Sequence, residues 1–67
     1  MNFPEKIKEL REQYNYTQVF ISKHLGISQA AYCRYEIGLT RPDYENLVKL
    51  ANLYDVSIDY LLDNADI

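Results

Sequence analysis

Cysteine, glycine and proline are all scarce in this chain, and each scarcity narrows what the chain can be. One cysteine in 67 residues excludes an internal disulfide, so any core must be held by packing alone, as suits a reducing cytosol. Two glycines and two prolines against a hydrophobic fraction of 48% do not make a disordered or low-complexity chain. Nowhere do apolar residues run on long enough for a membrane-spanning helix. The start, MNFPEKIKEL, lacks the unbroken apolar stretch of a signal peptide. A single His24 and a single Cys33 make no metal-ligand cluster. There is no Ser-His-Asp set, no glycine-rich phosphate loop and no pair of inward carboxylates beside a pocket. The expectation is therefore one small cytoplasmic domain over residues 1–67, with no enzymatic activity, no cofactor and no metal.

An excess of positive charge is missing too, since the net charge is −3, which argues against a generic polyanion binder. The charge is unevenly spread. In residues 1–21, Lys6, Lys8 and Arg11 balance Glu5, Glu9 and Glu12. In residues 22–41, Lys23, Arg34 and Arg41 face only Glu36, for +2. In residues 42–67, Lys49 stands against six carboxylates, for −5. Only the middle third is net positive.

What the chain does have is helical patterning, in five segments and with no convincing strand. The first runs from about Pro4 to Tyr14, with Ile7, Leu10, Arg11 and Tyr14 on one face and proline at the first helical position. Thr17 caps a second that ends at Leu25-Gly26, and Ser28 caps a third, Gln29 to about Glu36, closed by Gly38. After the break at Arg41-Pro42, Asp43 caps a fourth carrying Leu47, Leu50, Ala51 and Tyr54. Ser57 caps a short fifth, Ile58 to about Asp63, with Leu61 and Leu62 available to the core and Tyr60 expected partly in it. Short connections make this an all-α bundle.

Segments two and three are joined by Gly26-Ile27-Ser28. The glycine accepts a positive φ, the isoleucine plugs the corner and the serine starts the next helix, which is a helix-turn-helix arrangement. In the third segment Tyr32 and Tyr35 face inward, leaving Gln29, Ala30, Cys33 and Arg34 on the opposite side. Glutamine can bond an adenine edge bidentately and arginine a guanine edge, while alanines allow close approach and can touch a thymine methyl. That pattern suits a recognition helix in a major groove.

The run TQVFISKHLGISQAAYCRYEIG, followed by RPDYENLVKLANLYDVSIDYLL, resembles the phage Cro and λ-repressor-like (XRE-type) helix-turn-helix family of DNA-binding proteins. The resemblance covers about residues 5 to 63 and rests on the Thr-Gln opening, the Leu-Gly-Ile-Ser turn, the Tyr-Glu-x-Gly close and the Val-Ser-x-Asp-Tyr-Leu-Leu ending, in order. It implies a compact five-helix fold and a transcriptional regulator, expected to be a repressor, that binds a roughly two-fold-symmetric operator in double-stranded DNA as a homodimer. By position, Gln29, Ala30, Cys33 and Arg34 would meet bases. Gln18, Ala31, Thr40, Arg41 and Tyr44 would meet the backbone, with Gln18 at a helix N-terminus suited to a phosphate. Arg11 and Glu36 match a pair that orients the third helix. Val56, Ile58 and Tyr60 match positions of dimer contact.

The chain departs from the family pattern at Val19 and Phe20, where acidic residues are common, at Ser22 in place of a usual alanine, and at Ile37 before Gly38. Phe20 cannot close a capping box with Thr17. Val19, Phe20 and Ile37 are expected to form apolar surface open to a protein partner. Two alternatives follow: an antitoxin or controller that binds DNA and a protein, and an antirepressor-like interaction module that binds no DNA. Cys33 at a groove-facing position could serve redox control, but a small tolerated residue is the simpler reading.

Overall fold

Five helices follow in chain order: α1 (Phe3–Gln13), α2 (Gln18–Leu25), α3 (Gln29–Ile37), α4 (Tyr44–Tyr54) and α5 (Ile58–Leu62). The computed structural model describes residues 2–62, and all regular structure among them is helical, as the patterning predicts. The end of the last helix expected near Asp63 lies outside the described residues.

Local chemistry accounts for the helix starts. Thr17, Ser28 and Asp43 each sit in extended backbone, and their side-chain oxygens accept from the N–H of Phe20, Ala31 and Asn46 at 2.9–3.0 Å. Each cap satisfies a donor the helix leaves orphaned, worth about 1 kcal/mol. Ser57 does the same for Tyr60 at 3.0 Å. α1 starts one residue earlier than Pro4 suggests because Asn2 and Glu5 form a reciprocal capping box, at 3.1 and 3.2 Å. Helix ends use left-handed backbone. Gly26 has φ 73° and lets the Ile27 N–H reach back to the Ser22 carbonyl at 3.0 Å. Asp55 closes α4 in the same way at φ 55°, a non-glycine stop that the sequence pattern does not signal.

The core gathers one stripe from every helix: Phe3, Ile7 and Leu10 of α1, Ile21 and Leu25 of α2, Tyr32 and Tyr35 of α3, Leu50, Ala51 and Tyr54 of α4, and Leu61 of α5. Two expectations for α5 are corrected. Leu62 and Tyr60 are 37% and 46% exposed, and Tyr60 instead lies under the Lys6 ammonium, 4.2 Å from its ring centroid. A helix of five residues spans too little of a second turn to bury more than one phase.

A polar network centred on one carboxylate lies within this apolar interior. Glu36, near the end of α3, accepts from Arg11 Nε at 2.7 Å and Arg11 Nη2 at 3.2 Å, from Gln18 Nε2 at 3.0 Å, and from the buried Tyr32 hydroxyl. The third arm of the Arg11 guanidinium reaches the Tyr16 carbonyl at 3.1 Å. Burial opposes ionisation of Glu36, but the bonds from Arg11, Tyr32 and Gln18 and the charge of Arg11 outweigh it and hold the carboxyl below its ordinary range. The Glu36 bond in turn raises Arg11, and burial pushes the Tyr32 hydroxyl far up.

Two outcomes follow for stability. A Cβ at Gly26 meets nothing within 4 Å, so Gly26→Ala suffers only left-handed backbone strain, about 1–2 kcal/mol in denaturant unfolding, and Gly26→Asn less. Because the folded Glu36 carboxyl ionises below its ordinary value of 4.5, its stabilisation is full above that pH and fades as pH falls through the lower folded value. The stability gap between wild type and Glu36→Gln, about 3 kcal/mol at neutral pH, should therefore narrow in acid. A gap independent of pH would show that the Glu36 charge does not hold the fold.

Candidate nucleic-acid interface

α2 and α3 are joined by the sharp turn at Gly26, with Ile27 half-buried against the core and Ser28 opening α3. Tyr32 and Tyr35 pin the inner face of α3, their rings meeting edge to face at 6.0 Å between centroids. That fixes what α3 shows to solvent. Gln29, Ala30 and Arg34 are exposed, while Ala31 and Cys33 are half-buried at the margin of the stripe. Positions 29 and 33, and 30 and 34, stand one above the other at helical spacing, so the four expected base-reading residues share one face.

Gln18 begins α2 beside this face. Its amide is not free, as a backbone-contacting role would suggest: Nε2 is held by Glu36, while Oε1 accepts from Gln29 Nε2 at 3.5 Å, the outer limit of a hydrogen bond. The structure thus joins Arg11, Glu36, Gln18 and Gln29 into one chain and adds Tyr32, which the sequence reading placed in the core for its ring alone. The signal was present, since Tyr32 and Glu36 are one turn apart on α3.

Thr40 and Arg41 are exposed on the α3–α4 connection, where the Thr40 N–H reaches the Arg34 carbonyl at 3.4 Å, and Tyr44 stands 75% exposed in the first turn of α4. Leu39, 71% exposed on the same connection, escaped the sequence reading. Val56 and Ile58 are half-buried and partly engaged with the chain's own core, whereas Tyr60 is exposed. Val19, Phe20 and Ile37 are exposed as expected. Phe20 extends an aromatic cluster, with its ring 4.7 Å from that of Tyr16 and stacked on His24 at 6.4 Å.

Electrostatics sharpen the contrast found in the sequence. Glu36 is the one acidic residue in positions 22–41, and it is buried against Arg11. Lys23, Arg34 and Arg41 are all exposed. The segment that carries α3 therefore presents three cations and no carboxylate to solvent. Among the described residues, no three of His, Cys, Asp and Glu come together to hold a metal ion, and no helix is long and apolar enough to cross a membrane.

A chain with this geometry has close relatives in sequence and in structure. The helix-turn-helix family model matches residues 7–61. The chain is 45% identical over 60 residues to the uncharacterized HTH-type transcriptional regulator YqaE of Bacillus subtilis, covering 90% of this chain and 52% of that protein. It is 39% identical over 61 residues to the cryptic phage CTXphi transcriptional repressor RstR of Vibrio cholerae, covering 91% and 54%. It spans about half the length of the curated relatives it matches. In structure it is similar to the P22 c2 repressor solved in complex with a synthetic operator, with a TM-score of 0.85 and 32% identity over 92% of this chain and 94% of that one. A transcriptional regulator from Listeria innocua superposes with a TM-score of 0.90 at 29% identity, covering 92% and 58%. This chain belongs to the Cro and λ-repressor-like, XRE-type helix-turn-helix family.

Proposed function

We propose that this chain is a DNA-binding transcriptional regulator, a cytoplasmic repressor that lays α3 in the major groove of a two-fold-symmetric operator. The observation that carries the reading is the outward stripe of α3, with Gln29, Ala30 and Arg34 exposed on the one segment that shows cations and no carboxylate. Gln29 and Arg34 have the donors and acceptors for base edges, Ala30 leaves room for close approach, and Cys33 lies at the edge of the contact. Thr40, Arg41 and Tyr44, with Ala31 and the main-chain N–H of Gln18 at the helix starts, would hold the phosphate backbone, and an arginine such as Arg41 also suits a narrow minor groove. The resemblance to a repressor solved on its operator supports this docking.

Size supports a dimer. The molecule is 31 Å long, and half-sites one helical turn apart are about 34–36 Å from centre to centre. One copy therefore reaches one groove, and a second copy is needed for the other. Val56, Ile58 and Tyr60 form the contact in this reading. A protein partner at Val19, Phe20 or Ile37 is the second reading, supported by their exposure of 41%, 45% and 62%.

Selection from a random DNA pool, followed by titration over a range of salt, tests the function. An inverted-repeat winner whose affinity falls steeply with salt is expected. No enrichment at low salt would favour a protein-binding module instead. Arg34→Ala should cost roughly 1–3 kcal/mol per half-site and relax specificity at one base pair, as read by competition among operator variants. Uniform weakening on all sequences would place Arg34 on a phosphate. Ile58→Ala should weaken self-association about tenfold in sedimentation, near 1.4 kcal/mol, with helicity retained. Unchanged association would move the dimer contact elsewhere.

A further inference from the structure

We infer that Tyr32 and Glu36 are positioning residues for base recognition: they fix which way round the Gln18 amide sits, and so which groups Gln29 offers to a base. This rests on the DNA-binding reading above and names a further determinant of its specificity.

An ionised carboxylate only accepts hydrogen bonds. All four donors on Glu36 are accounted for, with Arg11 Nε and the Tyr32 hydroxyl on Oε2, and Arg11 Nη2 and Gln18 Nε2 on Oε1. The two ends of a glutamine amide are nearly equal in shape but opposite in hydrogen bonding. Against Glu36, only the N–H end of Gln18 is tolerated. Its oxygen must then face the other way, and there it meets Gln29 Nε2 at 3.5 Å. Gln29 thus commits one N–H to Gln18 and keeps its other N–H and its carbonyl oxygen. One donor beside one acceptor is what the major-groove edge of adenine takes, at N7 and N6. With Gln18 reversed, Gln29 would turn its oxygen toward Gln18, spending one lone pair there and leaving both N–H groups free, a balance shifted toward the paired acceptors of guanine. A preference for adenine over guanine is thus set two side chains behind the residue that reads it.

Tyr32 completes the arrangement. It is wholly buried, one turn before Glu36, and its hydroxyl occupies the carboxylate oxygen that Gln18 does not use. Removing that hydroxyl leaves that oxygen held by Arg11 alone, so the carboxylate can shift along the guanidinium fork, which loosens its hold on Gln18.

The test compares operators with adenine or guanine at the position whose preference Gln29→Ala abolishes. Tyr32→Phe keeps the ring and the Arg11–Glu36 pair. It should lower the adenine-to-guanine affinity ratio about fivefold, the scale of one hydrogen bond, without changing the salt dependence. In a Gln29→Ala background it should leave that ratio unaltered. In the free protein, NMR should show one Gln18 side-chain amide proton shifted and slowed by its bond to Glu36, and that signature should diminish in Tyr32→Phe while the backbone spectrum stays folded. An unchanged ratio in Tyr32→Phe, an equal loss in the Gln29→Ala background, or a base other than adenine opposite Gln29 would overturn the inference. A freely exchanging Gln18 amide in the wild-type protein would overturn it without any DNA. If the wild type selects no sequence at all, the DNA-binding reading itself fails, and the spectrum still decides whether Glu36 holds Gln18.

Discussion

The Glu36 carboxylate draws in Arg11 from α1, Gln18 from α2 and Tyr32 from its own helix, and the placement of α3 depends on that convergence. A buried ion pair is a weak source of net stability, because removing two charges from water offsets much of their attraction. Its value here lies in direction. Apolar contacts between α1 and α3 would tolerate a small rotation or slide, since packing forces have no preferred angle. A forked guanidinium on a carboxylate does not, because both nitrogens must meet both oxygens at once. With the fork closed and Tyr32 sealed against it, the outward stripe of α3 is held at one angle to α2. A recognition surface requires that constancy more than it requires extra stability.

The same burial changes how the molecule looks from outside. Counted along the chain, the middle third is only modestly basic, and the whole is acidic. Counted at the surface, its single carboxylate has vanished into the core together with the Arg11 charge that balances it. An approaching polyanion meets the residual cations, and screening by salt limits their reach to about 8–10 Å. Short range favours contact by this face over attraction of the whole acidic protein.

Most of the fold was legible in the sequence because its signals are local. Thr17, Ser28, Asp43 and Ser57 act within three residues of themselves, and Gly26 marks a backbone conformation that few other residues accept. α5 was read less well. Five residues do not establish a helical phase, so spacing points Tyr60 and Leu62 inward where the structure leaves them exposed. Asp55 closes α4 without the glycine that would announce it. The candidate interface was legible as a set of exposed positions on α3, but not as a network. The bond between Glu36 and Gln18 joins residues 18 apart, and the pair of Arg11 and Glu36, 25 apart, was legible only through the family resemblance. No periodicity reports on such contacts. Tyr32 is a partial exception, because its place one turn before Glu36 permits the bond, although a spacing that predicts a buried ring does not by itself say where the hydroxyl goes.

The uneven tethering of the α3 stripe has a consequence for how such a protein can diversify. Ala30 and Arg34 extend into solvent, and the core gains nothing from their identity. If α3 lies in the groove as proposed, exchanging them would alter what the helix reads while the folded state is left almost untouched. Gln29 is different, because its partner is Gln18 and the partner of Gln18 is the carboxylate that joins three helices. In the proposed reading the outward face of α3 is thus divided into letters that drift cheaply and one letter that is coupled to the scaffold. New operator preferences should arise first at the free positions, with Gln29 changing only alongside Gln18.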